Sequence, residues 1–337
     1  MSDLKLFCAL CGILFAANVF AWEGPQEGPV AQAGKKIIFI ASDLKNGGVL
    51  GVKRGFLEAV RELSWEVEIK DGAGDLGELR NLVKEALHSK VDGIVLGGFQ
   101  PDSSLESLAQ SSRVVMVGWH AGPHPGRTKM LFANVTTDPS EVARLAADSA
   151  LRVGSKSPGV VIISDNQFAI ANEKVKQITD TLKKCKHCRV LSVENVAISD
   201  AQHEISSLVS RLQHKFGKEW THTIAINDIY FDNMNFPLKE IGRNDVANIA
   251  AGDGSRVALS RIKGGGSQQV VTVAEPLLAQ GWQLADELNR AFSRKKESGF
   301  VSKPLTVTKE VLDRVANDDI ESHGSFRETY SNIWKRR

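Results

Sequence analysis

The chain has 337 residues, which is enough for two domains that each bury a hydrophobic core. Hydrophobic residues make up 42% of the sequence and charged residues 24%, as is typical of a soluble globular protein. The formal net charge is only +2, from 42 basic and 40 acidic side chains, so charge gives no reason to expect nucleic acid or an anionic membrane as partner.

Residues 1–21 have the pattern of a secretory signal peptide. Lys5 precedes an apolar run at 6–21, which is interrupted only by Asn18 and ends with small side chains at its third-last and last positions. We expect cleavage before Trp22 and a mature protein in the periplasm. The alternative is an uncleaved membrane anchor, which is disfavoured because a membrane-spanning helix needs about 20 apolar residues.

Strand and helix patterns alternate after a glycine- and proline-rich linker at 22–34. The first half has predicted strands at 36–42, 67–70, 93–96 and 114–117, and predicted helices at 49–63, at 76–87 and from 104 onward. Continuous apolar strands separated by amphipathic helices predict a parallel sheet that is covered on both faces.

The pattern then restarts. Asp138, Pro139 and Glu141 are the N-cap, first-position proline and third-position acid of a helix start. The second half has predicted strands at 160–163, 190–193, 223–226, 246–250 and 270–273, and predicted helices at 169–184, 201–215, 231–241, 255–262 and 277–292. Two successive units of similar size predict an α/β fold with two doubly wound parallel-sheet lobes.

Only two cysteines, Cys185 and Cys188, follow the signal peptide. Export favours a local disulfide between them. Free thiols are an alternative, and metal or redox chemistry is disfavoured because a zinc site needs four ligands and no second cysteine pair exists.

Seven short patterns in a fixed order resemble one family. They are the sequences SDLKN at 42–46, KRGF at 53–56, VDGIVL at 91–96, TDP at 137–139, ND at 227–228, GDG at 252–254 and TVAEP at 272–276. Over about residues 35–304 the chain resembles the type I periplasmic binding proteins, in the branch close to ribose-binding proteins, which are substrate-binding proteins of ABC sugar transporters.

This resemblance implies a ligand cleft between two lobes that are joined by a three-segment hinge. The hinge segments fall near Asp138, Glu275 and Ser302. The N-terminal lobe is then 35–137 with 276–302, and the C-terminal lobe is 138–275 with 303–325, followed by a tail at 326–337. Ligands of open α/β sheets bind outside the carboxyl ends of the strands, and an interface between domains is a preferred site for a pocket.

The resemblance also implies six ligand-binding residues: Asn46, Trp119, Asn172, Asn227, Asp253 and Glu275. Amides and carboxylates can bind hydroxyl groups, and an aromatic ring such as that of Trp119 or Phe168 offers an apolar platform. Other interpretations are a helix cap for Asp253, a turn for Asn227 and Asp228, and simple burial for Trp119. His120 and His124 flank a Gly/Pro loop that we expect to be solvated rather than a metal site.

The candidate site departs from that of ribose-binding proteins. Gly47, Gly48 and Val49 stand where aromatic residues are common, Trp119 and Asn172 replace arginines, and Glu275 replaces a glutamine. A sugar or sugar-like molecule is the expected ligand class, without implying a pentose. Glu275 suggests a ligand with an amine or several hydroxyls.

The expected function is capture of a small polar ligand and its delivery to an inner-membrane ABC permease. The alternative is presentation of the ligand to a membrane sensor kinase or chemoreceptor. We expect a monomer with no cofactor, no metal and no catalytic site, since no hydrolase motif occurs. The tail after Pro304, which includes 326–337, is expected to form a strand and a helix that pack over the second lobe.

A dinucleotide-dependent oxidoreductase is a weaker alternative. The segment 46–51 follows a strand and opens a helix, and Asp71 ends the next strand, as in the Rossmann pattern. Asn46 stands where the first glycine is required, and an exported protein lies outside the cytoplasmic cofactor pool.

Overall fold

The computed structural model describes residues 22–315, 320–321 and 325–335, so the predicted signal peptide lies outside the described residues. The chain forms two separate sheets, one in each lobe, and this confirms the predicted α/β fold class with two doubly wound lobes. Within the described residues, no helix has the length and apolar character to span a membrane.

The first lobe is built on a parallel five-stranded sheet with the order β2-β1-β3-β4-β5. Its strands are β1 (Lys36–Ala41), β2 (Glu66–Asp71), β3 (Gly93–Gly97), β4 (Val115–Trp119) and β5 (Ala133–Val135), and its helices are α1 (Gly47–Glu62), α2 (Leu76–His88) and α3 (Glu106–Ser111). β1 and β3 are apolar and almost wholly buried because helices cover both faces of the sheet. The sequence patterns predicted all of these strands except the three-residue β5.

The second lobe is built on a six-stranded sheet with the order β11-β10-β9-β8-β6-β7. Its strands are β6 (Gly159–Ser164), β7 (Arg189–Asn195), β8 (His222–Ala225), β9 (Ala247–Ala250), β10 (Gln269–Ala274) and β11 (Leu305–Val307), and its helices are α4 (Pro139–Ala150), α5 (Ala169–Leu182), α6 (Ala201–Phe216), α7 (Ile229–Glu240), α8 (Arg256–Gly264) and the short α10 (Lys309–Leu312). All neighbouring strands are parallel except β11, which pairs antiparallel with β10.

Helix α9 (Leu277–Phe292) returns to the first lobe, where it packs on α1 and β4. Two glycines allow the close approach of α1 and α9. A Cβ at Gly55 would overlap the backbone of Leu278, and a Cβ at Gly281 would overlap the backbone of Val52 and Phe56. The first-lobe core therefore includes a segment that follows five of the six strands of the second sheet in sequence.

The prediction that the chain after Pro304 forms a strand and a helix over the second lobe is confirmed for β11, which pairs with β10, and is wrong for residues 326–335. Residues Phe326–Lys335 form α11, which packs on α9 of the first lobe. Trp334 stacks on Trp282 with ring centroids 5.4 Å apart, and its Nε1 donates to Asp286 at 3.0 Å. The amphipathic character of α11 was visible in the sequence, but the lobe that it covers was not.

The segment at 22–34 is also not a free linker. The Trp22 ring contacts the rings of Phe300 and Tyr330, each with centroids 5.1 Å away, and the backbone N–H of Gln32 donates to Asn289 at 2.9 Å. This segment is therefore part of the first-lobe surface. The structure also contains the disulfide between Cys185 and Cys188 that export favoured.

Candidate functional site

A cavity that is partly open to solvent lies between the two lobes. It sits at the carboxyl ends of the strands of both sheets, because each parallel strand runs toward the other lobe and ends in a loop that faces it. The first lobe contributes Ser42, Asp43, Asn46, Gly74, Gly98, Trp119 and His120, and the second contributes Asp165, Phe168, Ile170, Ala171, Lys174, Ile198, Ser199, Ile226, Asn227 and Asp253.

Asn227 and Asp253 form a hydrogen-bonded pair on the second-lobe side of the cavity. Asn227 Nδ2 donates to Asp253 Oδ2 at 2.7 Å, and Asn227 Oδ1 accepts the backbone N–H of Ile229 at 3.0 Å. Asp253 does not cap α8, since that N-cap is Ser255, whose side chain accepts from the N–H of Ala258. The carboxylate of Asp253 is therefore available to the cavity.

Asp228 holds the Asp253 loop in place. Its buried Oδ2 accepts backbone N–H groups of Asp253, Gly254 and Ser255 at 2.8–3.1 Å, and its Oδ1 accepts from Gln269 Nε2 at 2.7 Å. Burial raises the pKa of Asp228 above its ordinary value, although these hydrogen bonds act in the opposite direction. The Asn-Asp pattern at 227–228 thus supplies one residue for the cavity and one for the loop behind it.

Asn46 is the N-cap of α1, and its side chain accepts the N–H of Gly48 at 2.9 Å. The glycines that follow serve close packing, because a Cβ at Gly48 would overlap the carboxylate of Asp253 and a Cβ at Gly47 would lie 2.6 Å from Ser255 Cβ. The N-terminus of α1 is thus filled by protein side chains, including an acid. This arrangement does not favour a dinucleotide phosphate there.

Trp119 is the last residue of β4 and His120 follows it, and their rings are stacked with centroids 3.9 Å apart and an interplanar angle of 11°. Trp119 is 1% exposed, and its Nε1 donates to Gln280 Oε1 at 2.8 Å. His120 is buried as well, and its Nε2 lies 3.0 Å from Glu275. The prediction of a solvated loop is therefore wrong for His120, whereas His124 is exposed.

The three predicted hinge segments meet around Glu275 and Gln280. Glu275 Oε2 accepts the backbone N–H of Thr137 at 3.4 Å and Gln280 Nε2 at 3.1 Å. Gln280 Nε2 also donates to Ser302 Oγ at 3.0 Å. One carboxylate and one amide thus connect all three segments.

Four ionisable side chains, His120, Lys174, Asp253 and Glu275, form what we call the hinge cluster. Lys174 Nζ donates to the carbonyl of Ala251 at 2.7 Å. Burial raises the pKa of Asp253 to about 6, although the charges of Lys174 and His120 oppose the shift. Burial would also raise the pKa of Glu275, but His120 and Lys174 outweigh it and hold this pKa well below its ordinary value.

Three members of the hinge cluster could ligate a cation, because His120, Asp253 and Glu275 offer ligand atoms within 4.8 Å of one another. Lys174 supplies a positive charge beside the same two carboxylates. The protein's own basic groups, Lys174 and His120, thus lie beside both acids.

The structure places four of the six predicted site residues, Asn46, Trp119, Asn227 and Asp253, in the cavity lining. Asn172 is not among the lining residues. Its side chain is exposed and donates to the carbonyl of Asn166 at 3.0 Å, while Lys174, two positions further along α5, reaches the cavity instead. Glu275 lies behind the lining, in the hinge cluster.

Sequence reasoning missed three charged residues of the lining: Asp43, Asp165 and Lys174. Asp43 and Asp165 each follow the last residues of a buried strand by one or two positions. That placement was a usable signal, since side chains after parallel strands face the ligand crevice. Nothing local marks Lys174, which stands in the middle of an amphipathic helix.

A cleft between two parallel-sheet lobes, lined from the carboxyl ends of both sheets, defines the two-lobed α/β binding proteins. The sequence matches the model of the family described as "Periplasmic binding protein domain" over residues 37–296. The protein therefore belongs to the periplasmic binding protein family, as a type I member of the ribose-binding-like branch. No curated protein sequence matches the chain.

Solved structures share this fold at low sequence identity. A sugar ABC transporter protein from Yersinia enterocolitica superposes with a TM-score of 0.74 and 15% identity, covering 90% of this chain and 96% of that chain. A carbohydrate transporter solute-binding protein from Agrobacterium radiobacter, in complex with D-arabinose, has a TM-score of 0.72 and 19% identity, with coverage of 87% and 99%. A XylFII–LytSN complex has a TM-score of 0.68 and 15% identity, with coverage of 83% and 99%.

Proposed function

We propose that this protein is a periplasmic substrate-binding protein that captures a small polar ligand, sugar or sugar-like, between its lobes and delivers it to an ABC importer. One observation carries the proposal. The cavity is lined from both lobes and presents the Asn227–Asp253 pair, whose amide and carboxylate can bind hydroxyl groups. The solute-binding proteins with the same fold, one of them in complex with D-arabinose, support a sugar-like ligand.

Binding and release, rather than a reaction, account for the arrangement of the lobes. The polar groups of the cavity come from two lobes that three segments join, so a hinge motion can open and close the cleft around a ligand. Export through the predicted signal peptide would place the protein in the periplasm. We expect the protein to act there as a monomer.

N-terminal sequencing of the secreted protein is expected to begin at Trp22.

A thermal-shift screen of the mature protein against sugars, polyols and amino sugars tests the proposal. A ligand present at 100 times its Kd stabilises the folded state by about 2.7 kcal/mol, which is a shift of several degrees. We expect Asn227→Ala to weaken binding about tenfold or more, because it removes an amide that faces the ligand. Asn172→Ala is the matched control and is expected to leave affinity unchanged. A broad screen without any shift would contradict the proposal.

The second candidate function is ligand presentation to a membrane sensor. The structural similarity to a chain of the XylFII–LytSN complex favours this second function, because that complex contains two different proteins bound to each other. Genes for a permease and an ATPase beside this gene would support transport, and a histidine kinase gene would support sensing.

A further inference from the structure

The charges that face the cavity are not balanced. Within the hinge cluster, the acids Asp253 and Glu275 are offset by Lys174 and His120. Two further carboxylates line the cavity, those of Asp43 and Asp165. Neither of them has a Lys, Arg or His nitrogen within 4 Å among the described residues. The cavity therefore carries an excess of negative charge.

Asp43 lacks a partner for one of its oxygens. Its Oδ1 accepts the backbone N–H of Lys45 at 2.8 Å, whereas Oδ2 is buried and has no hydrogen-bond partner among the described residues. The residue is only 3% exposed. A buried charged acceptor that is left unpaired costs more free energy than a neutral one does. A donor from the ligand would remove that cost.

This oxygen lies where the two lobes approach each other. A Cβ built on Gly74, in the first lobe, would be 3.8 Å from Asp43 Oδ2 and 3.1 Å from Ser199 Oγ of the second lobe. Phe168 lines the same cavity. Asp43 is thus placed to contact a ligand that is held between the lobes.

Asp165 provides the second uncompensated charge. Both of its oxygens accept backbone N–H groups, Oδ1 from Gln167 at 3.1 Å and Oδ2 from Ile198 at 2.9 Å, and the residue is 1% exposed. Asp165 therefore adds negative potential without needing a direct contact to the ligand.

Glu275, which the sequence suggested as the acid for an amine, occupies a different place from Asp43. It lies outside the cavity lining and is paired with His120. An amine-bearing ligand is still expected, but Asp43 rather than Glu275 is the acid in the cavity lining that would bind the amine.

We infer that the ligand carries a protonated amine that donates to Asp43, so the substrate class is an amino sugar or another polyhydroxylated amine. This inference rests on the proposed function and specifies its ligand. An ammonium group has three donors and no acceptor, which suits an unpaired carboxylate oxygen, and the charge-assisted bond is about twice as strong as a neutral one. The Asn227–Asp253 pair remains available for hydroxyl groups of the same molecule.

Matched ligand pairs test the inference on the unmodified mature protein by calorimetry at pH 7. The pairs are glucosamine with glucose, galactosamine with galactose, and glucamine with sorbitol, and N-acetylglucosamine, an uncharged amide, is the acetylated form of glucosamine. We expect at least one amine to bind about tenfold or more tightly than its neutral partner and its acetylated form. Neutral sugars that bind as tightly as the amines would overturn the inference and leave the proposed function intact.

Two substitutions test whether Asp43 is the residue that binds the amine. Asp43→Asn is expected to weaken binding of the amine about tenfold or more. Glu66→Gln removes the same charge from a side chain that is 78% exposed at the opposite end of the sheet, and it is expected to bind like the unmodified protein. Equal affinities of Asp43→Asn and the unmodified protein for the amine would overturn the role of Asp43. If neither amines nor neutral ligands bind, the inference and the proposed function both fail.

Discussion

Individual carboxylates in this protein differ in role according to what surrounds them. Asp228 is surrounded by backbone N–H groups and holds a loop, Asp253 faces the cavity, and Glu275 is paired with His120 in the hinge. Burial is the largest influence on the pKa of each of these acids, and neighbouring groups decide whether it is finally raised or lowered. The residue type alone therefore does not specify the role.

Asp253 is expected to make stability depend on pH. Its pKa is raised from 3.8 to about 6, so the folded state binds this proton more tightly than the unfolded state does. The stabilisation is complete below pH 3.8 and is lost as pH rises through 6. The surrounding charged groups are Lys174, His120, Glu275 and Asp228, which all remain in the variant Asp253→Asn.

Urea unfolding at pH 5 and pH 7.5 measures this contribution. Between these two values the unmodified protein is expected to lose about 1 kcal/mol more of its free energy of unfolding than Asp253→Asn does. Parallel changes in the two proteins would show that Asp253 does not have a raised pKa.

Helices α1 and α9 are the clearest case of two elements fitted to each other. They belong to distant parts of the chain, and their glycines meet the backbone of the opposite helix. The outer face of α9 is covered in turn by α11, through the rings of Trp282, Tyr330 and Trp334. As a result α9 is buried almost along its whole length.

Gly281→Ala is expected to lower the free energy of unfolding by about 2–4 kcal/mol, because the added methyl group forces α1 and α9 apart. The control is Gly264→Ala at the end of α8, where an added Cβ meets nothing within 4 Å. That variant is expected to change stability by less than about 1 kcal/mol. Chemical denaturation of both variants checks the difference, and equal effects would contradict the close packing of α1 on α9.

At the scale of the whole molecule, the lobes touch at the cleft as well as at the hinge. Gly47 at the start of α1 belongs to the first lobe, and Ser255 at the N-cap of α8 belongs to the second. A Cβ on Gly47 would lie 2.6 Å from Ser255 Cβ. The lobes are therefore close together on this side of the cleft, and a ligand that enters the cavity requires them to separate.

A cross-link between these two positions tests that requirement. In the double variant Gly47→Cys/Ser255→Cys the Cβ atoms need to separate by only about 1 Å to reach the usual 3.8 Å of a disulfide. The disulfide is formed while a ligand from the screen is bound. We then expect the ligand to dissociate about tenfold or more slowly from the oxidised protein than from the reduced protein. Each single variant, and the unmodified protein treated with the same reductant, serve as controls. Equal release rates in oxidised and reduced protein would mean that ligand exchange does not need lobe separation.

The sequence by itself determined the fold class and most of the elements. Apolar runs such as β3 and helix starts such as Asp138-Pro139 depend on residues that are close together in the chain, so their pattern predicts them. The order of the family's patterns then identified the binding-protein fold and four residues of the cavity lining. The short β5 had too little pattern to be predicted, and β11 was expected only as a strand without bounds after Pro304.

Only the tertiary structure decided which groups meet. His120 and Glu275 are 155 positions apart, and Trp334 and Asp286 are 48 apart, so no local pattern relates them. The same reason explains why Asn172 was predicted in place of Lys174, and why α11 was expected on the wrong lobe. The chemistry of a cleft depends on burial and on partners from distant segments, and these exist only once both lobes have folded.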